Sequence, residues 1–194
     1  MSDLAYVLAF MRETEALKGV LRKTSPMGLD RLENAAEHSW QVCLLALSCQ
    51  EYANQPVDIL RVLKMLLVHD LGEIDVGDTI AYARSDAKAE RAGIARVLAP
   101  MPKEFVDDYL GLWDEFEWGD SADAQYARAI DRVMPILQNI HHGGQAWKQH
   151  GVTQEEVFAF NQPRISQGCT ALWEAVEVAL RDALSDRDDL LADA

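Results

Sequence analysis

Residues 63–78 read LKMLLVHDLGEIDVGD. An apolar run stops at adjacent His69 and Asp70, and Glu73, Asp75 and Asp78 follow. The chain already carries a formal net charge of -14, so a further gathering of acids at the end of a core-patterned segment calls for a compensating partner. On a helix, His69 shares a face with Val62, Met65 and Leu66. His38 stands in the same way with Val42, Leu45 and Cys49, and Asp131 with Met134, Pro135 and Gln138. If the three stripes face one core, the polar groups converge at its edge. Carboxylates left unpaired there cost on the order of several kcal/mol. A divalent cation is one solution, because imidazole nitrogen and carboxylate oxygen suit Mn, Fe, Co, Ni or Zn. Hydrogen-bonded core histidines and an Asp131–Arg132 pair are another, and spacing by itself leaves both open.

The rest of the chain reads as helix after helix. Apolar residues recur at helical spacing from Leu4 to Leu21, and KTSPMGLDRLEN then breaks the pattern. Further helices are expected over Ala35–Ala53, from a start at Pro56 to Asp70, and over Asp86–Leu98, Lys103–Phe116, Asp123–Ile140 and Thr170–Leu184, with more helix from Thr153. Gly72 and Gly77 mark a loop. No strand run, repeat or interdomain linker is evident. The expected fold is all-α, a single multi-helix bundle over residues 1–185, with a frayed acidic tail at 186–194.

At 194 residues, with 49% apolar and 26% charged residues, the chain has the composition of a soluble globular protein with a real core. Its acidity argues against nucleic acid or anionic membranes as partners, but a metal and a few local cations reverse the field inside one pocket. No apolar stretch is long enough for a membrane span, and the N-terminus reads as helix, not as a signal peptide. Cys43, Cys49 and Cys169 form no CxxC, which points to reduced thiols in the cytoplasm.

The segments ENAAEHSWQV, LVHDLGEIDVGDT and AIDRVMPILQN, taken in order, resemble the HD-domain superfamily of metal-dependent phosphohydrolases, and most of all its bacterial 5'-deoxynucleotidase subgroup. The resemblance covers roughly residues 15–145 and implies an HD-type helical bundle that binds one divalent transition metal (Co, Mn, Ni, Fe or Zn, with Mg as a further option). His38, His69, Asp70 and Asp131 match the four ligand positions. Glu73 matches the family's catalytic glutamate, a general acid/base, and Asp78 a functional acid of the GD element; on spacing alone they read equally as a helix-end acid and a helix cap. The implied substrate is a small phosphate, a (deoxy)nucleoside 5'-monophosphate, attacked by metal-activated water. Relatives are often dimers, so a homodimer is expected.

For the phosphate, Arg22, Lys23, Arg31 and Thr79 are the candidates. The subgroup's Arg-Trp pair, which contacts the nucleotide, falls on Lys23 and Thr24. The aromatic partner is therefore missing, and lysine lacks arginine's bidentate geometry. The HDxxED signature of alarmone hydrolases is broken by Ile74, and no GYP element of cyclic-dinucleotide phosphodiesterases is present. Cleavage of a signalling nucleotide and a non-catalytic metal and nucleotide sensor remain the alternatives. His141 and His142 precede Gly143-Gly144 and read as a helix C-terminus, about 16 Å along the helix from Asp131. No tryptophan is assigned to substrate stacking.

Overall fold

The computed structural model describes residues 3–83 and 86–186. Apolar periodicity becomes helix throughout: α1 (Asp3–Thr14), α2 (Ala35–Cys49), α3 (Ile59–Val68), α4 (Glu73–Val76), α5 (Ala87–Leu98), α6 (Lys103–Trp118), α7 (Ala122–His141), α8 (Gln145–Gln149), α9 (Gln154–Gly168) and α10 (Thr170–Asp186). Among the described residues no strand forms, and an isolated antiparallel bridge joins Leu21 to Asn34. No described helix is long and apolar enough to cross a membrane. Residues 187–194 of the expected tail lie outside the described residues.

The boundaries follow local chemistry. The expected first helix breaks after Thr14 into a 3-10 turn, Glu15–Gly19, and α2 likewise ends in one, Gln50–Tyr52. The third helix starts at Ile59 and not at Pro56, because the Asp58 carboxylate accepts from the amides of Leu60 and Arg61 and so takes the N-cap role. Asn34 and Glu37 form a capping box that fixes the start of α2, four residues before His38. Two short helices, α4 and α8, occupy stretches that the sequence reading treats as loop or leaves unassigned. α8 follows Gly143 and Gly144, both at positive φ, a backbone that favours glycine.

α7 is the central element. It packs against α2, α3, α6, α9 and α10, and Ala127, Ile130, Val133 and Ile136 are buried along it. The same core takes Val42 and Ala46 from α2 and Val62, Met65 and Leu66 from α3. The amphipathic stripes of α2, α3 and α7 therefore do face one interior, and the residues that share those stripes are carried to its edge. Tyr126 anchors α7 to α2 by donating its hydroxyl proton to the Ala46 carbonyl at 2.8 Å.

α4 is only four residues long, so its position is set by what it rests on. Gly72 and the Gly93 turn of α5 meet backbone to backbone. A Cβ built on Gly93 would stand 2.6 Å from the Gly72 carbonyl oxygen, and one on Gly72 2.4 Å from the Glu90 carbonyl oxygen. Neither obstacle is a side chain that can turn away. Gly93→Ala should therefore destabilise the protein by about 1–3 kcal/mol, as overpacking does. Denaturant unfolding checks this, and a Gly93→Ala variant as stable as wild type would show that the contact yields without cost.

Candidate metal centre

Three helices deliver donor atoms to one buried point. His38 comes from α2, His69 caps the C-terminus of α3, and Asp131 lies mid-way along α7. Asp131 Oδ1 stands 2.8 Å from His38 Nε2 and 3.4 Å from His69 Nε2. One donor atom from each residue lies within 4.8 Å of the others, and all three residues are buried. Asp70 is adjacent, with Oδ1 3.1 Å from His69 Nε2.

The groups around the cluster fix how its atoms are presented. His69 Nδ1 lies 2.9 Å from the Leu66 carbonyl. A proton there leaves Nε2 with its lone pair, and Nε2 is buried with no hydrogen-bond partner. Trp113 donates its indole N–H to the His69 carbonyl at 3.0 Å, which holds the end of α3. His38 Nδ1 faces Glu33 Oε2 at 3.4 Å. Asp131 Oδ2 is occupied by the Arg132 guanidinium, so Oδ1 is the oxygen turned to the histidines. Two imidazole nitrogens and carboxylate oxygen, gathered without a cation of their own at that point, fit a divalent transition metal. Burial alone would lower the pKa of His69, but Asp70 and Asp131 outweigh it and raise the pKa. Proton and metal thus compete for one lone pair. Burial would raise the Asp131 carboxyl, yet Arg132, His38 and His69 hold it well below its ordinary value.

A second tier of acids surrounds a buried arginine. Arg22 reaches Asp70 Oδ2 at 2.7 Å, Glu33 Oε2 at 3.5 Å and Asp78 Oδ1 at 3.9 Å. Burial would depress this guanidinium, but Asp70, Asp131, Asp78 and Glu73 keep it charged. Residues 20–34 are built to place it. Arg22 N donates to Glu33 O at 2.8 Å and Glu33 N to Thr24 O at 2.9 Å, so Arg22 and Glu33 lie side by side. Glu33 is further held by Gln138 Nε2 at 2.6 Å. Glu73 opens α4, one turn past Asp70, with its Oε2 buried and unpartnered. Burial first, then Asp70, Asp78 and Glu90, push its carboxyl up to about 10 against the pull of Arg22. Burial also raises the Asp78 carboxyl. Asp78 caps no helix, since α5 begins at Ala87 with Asp86 as its cap.

Two cavities open on this centre and share Asp70, Glu73, Thr79 and Arg132. One, of about 100 Å³, extends past Lys23, Tyr82, Asn139, Trp147 and Asn161. The other, of about 350 Å³, extends past Glu117, Arg128, Phe160 and Arg164. Lys23 and Thr79 are thus at the site. Arg31 is not: it is exposed and bound to Glu37 Oε1 at 2.5 Å, and it lines neither cavity. His141 and His142 close α7 as expected, and His142 Nε2 lies 2.9 Å from the Pro26 carbonyl. Three residues went unassigned in the sequence reading. Glu33 stands inside the quoted ENAAEHS segment and Arg132 beside Asp131, so both were adjacent to a signal. Trp147, which lines the smaller cavity, gave none, because it enters on α8.

The family model described as the HD domain matches residues 14–173. The 5'-deoxynucleotidase HDDC2 of Xenopus laevis is 25% identical over 190 residues, covering 91% of this chain and 90% of that protein. Its namesake from Danio rerio is 30% identical over 138 residues, 68% of this chain and 67% of the relative. The crystal structure of a predicted metal-dependent phosphohydrolase from Magnetospirillum magnetotacticum MS-1 superposes with a TM-score of 0.92 at 38% identity, covering 99% of this chain and 97% of the other.

The raised carboxyl of Glu73 has a consequence for stability. A group whose folded pKa exceeds its unfolded value contributes stability at low pH that is lost as pH rises, here across the window from 4.5 to about 10. Metal-stripped Glu73→Gln should therefore melt higher than metal-stripped wild type near pH 8, with the gap closing toward pH 4. Thermal melts over that range check it, and parallel pH curves would refute the assignment.

Proposed function

The chain belongs to the HD domain family, and on that premise we propose that it is a metal-dependent phosphohydrolase that releases phosphate from (deoxy)nucleoside 5'-monophosphates. The observation that carries this reading is the buried convergence of His38, His69 and Asp131 on one point, with an unpartnered His69 nitrogen inside it. These three, with Asp70, would hold one divalent ion, and Co, Mn, Ni, Fe or Zn suit the mixed nitrogen and oxygen donors better than Mg. When bound, such an ion polarises a phosphoryl oxygen and makes its water a nucleophile near neutral pH.

The chain's own residues supply the rest. Glu73, whose buried carboxyl is raised beside Asp70, would hold a proton and pass it to the nucleoside oxygen as the P–O bond breaks. Asp78, paired with Arg22, is placed to orient the attacking water or a sugar hydroxyl. Water forms the new P–O bond directly, so no covalent phosphoenzyme is needed. Lys23 and Thr79, lining the smaller cavity, are the candidates for phosphate contact. Arg31, tied to Glu37, is left out of that role. The aromatic partner that Thr24 fails to provide has a counterpart in space. Trp147 and Tyr82 line the same cavity as Lys23 and Thr24, joined by an indole N–H to hydroxyl bond of 3.2 Å, and offer a wall for the nucleoside.

Names carried by relatives support the substrate class: those of Xenopus laevis and Danio rerio are 5'-deoxynucleotidases. We further propose a homodimer in the cytoplasm. The three cysteines are free, as a reducing compartment requires. α1, α2 and α3 leave Met11, Trp40, Leu47 and Leu67 exposed around an apolar groove of about 550 Å³, a patch of the kind that marks a protein interface.

The deciding experiment strips the metal, restores Mn, Co, Ni, Zn or Mg in turn, and measures phosphate release from deoxy- and ribonucleoside 5'-monophosphates. Release should require metal. Asp70→Ala should lose both metal and turnover, whereas Glu73→Ala should keep the metal and lose about 10²–10⁴-fold in kcat. Full activity in Asp70→Ala would end the mechanism. For the dimer, sedimentation should give twice the chain mass, and Trp40→Glu should shift it to monomer. A monomeric wild type would refute that arrangement.

A further inference from the structure

The larger cavity holds the donors His69, Asp70 and Asp131 together with Glu73, and it extends past them to side chains that have no role in the chemistry above. It is also where a chain of net charge -14 concentrates arginine. Arg128 and Arg132 lie one turn apart on α7, and Arg164 approaches from α9. Neither Arg128 nor Arg164 forms a direct ion pair among the described residues, although Glu117 and Asp120 lie near enough to Arg128 to favour its charge. Arg128 is held by backbone carbonyls, at 2.6 Å from Phe116 O and 2.7 Å from Gly119 O. Arg164 donates to Phe160 O at 2.8 Å and lies over the Phe160 ring, 3.7 Å from its centroid. Arg132 lies 5.9 Å from the same centroid. Phe160 thus sets Arg164 in place, carbonyls set Arg128, and Asp131 Oδ2 sets Arg132. They need little further ordering to receive a ligand.

The geometry orders the two cavities along α7. Asn139 and Pro135 line the smaller one, Arg128 and Asp131 the larger, and Arg132 belongs to both. The eleven residues from Arg128 to Asn139 span about 16 Å, and the metal donors His69 and Asp131 line the arginine end. An anion held by the arginines therefore sits beside the reacting phosphorus, in the same cavity as the metal donors. Glu90 and Glu117 also line this cavity. Burial is the first cause that raises both carboxyls. Burial, then Arg132 and Arg128, hold the Arg164 guanidinium below its ordinary value, the mark of cations crowded on one space.

Resting on the phosphohydrolase reading, we propose that the cavity lined by Arg128, Arg132 and Arg164 is a second phosphate subsite, which takes a phosphoryl group other than the one that reacts. That group is either a second phosphoryl carried by the substrate or free inorganic phosphate. The planar fork of arginine suits either.

The test uses the metal-loaded protein carrying Glu73→Gln, which should bind without turning over, and reads binding by calorimetry. A nucleoside 5'-diphosphate, the matching monophosphate and inorganic phosphate are titrated into this protein and into its Arg164→Ala and Arg164→Lys derivatives. Arg164 is at the surface, so the variants should fold, and melting curves confirm it. Loss of a charge-assisted contact should weaken the diphosphate in Arg164→Ala about tenfold or more relative to the monophosphate, with partial recovery in Arg164→Lys. That pattern places the second phosphoryl on the substrate. Selective weakening of inorganic phosphate alone identifies free phosphate as the occupant. If all three ligands weaken alike, or none does, the subsite is refuted. Phosphate release from the monophosphate by wild type, measured alongside, reports separately on the phosphohydrolase reading.

Discussion

One oxygen atom organises this molecule. Asp131 Oδ1 lies within hydrogen-bonding range of one histidine nitrogen and close to another, in a place with almost no access to water. Electron-rich atoms buried together are unfavourable unless a cation lies among them. The fold meets that demand from several directions. α7 runs through the middle of the bundle, so that Asp131 is reached by α2 on one side and α3 on the other. The Asn34–Glu37 capping box fixes the rotation of α2, and with it His38. The Trp113 indole fixes the end of α3, and with it His69. Helix packing here serves as much to aim side chains as to bury apolar area.

Around that point, acids and arginines alternate. Arg132 neutralises one oxygen of Asp131, Arg22 one of Asp70, and Glu33 lies between Arg22 and His38. Buried ion pairs of this kind are poor sources of stability, since desolvation cancels most of the attraction. Their value lies in geometry. Each arginine occupies one carboxylate oxygen and leaves the other facing the centre, and the oxygens that remain define where a cation and a phosphoryl group fit.

The all-α class, most helices and the convergence of three stripes were legible in the sequence, because periodicity 3.6 and caps such as Thr153–Glu156 are local signals. What escaped was settled by longer-range contact. α4 and α8 are too short to show a period, and their positions depend on Gly72 meeting Gly93 and on a two-glycine reversal. Proline at 56 is a permissive residue, and Asp58 overrode it by offering a real hydrogen-bond acceptor. Arg31 stood among the phosphate candidates in the sequence, yet Glu37 six residues on captures it in space. The arginine cavity was invisible because Arg128 and Arg164 belong to no motif and Arg132 reads as a partner for Asp131, and only the packing of α9 on α7 brings the three together. Glu73 stood out in sequence by its motif, but its raised carboxyl comes from burial that spacing does not report.

Pro135 lies inside α7, four residues after Asp131. Proline has no amide proton, so the rung that residue 135 would supply to the Asp131 carbonyl is missing, and a helix resists bending least at such a point. The missing rung falls between the two cavities. The N-terminal half of α7 carries the arginine wall and the C-terminal half leads to Trp147, and they meet at the weakest link of the helix. The bundle's central element therefore carries one missing hydrogen bond at the residue that supplies the metal centre's carboxylate.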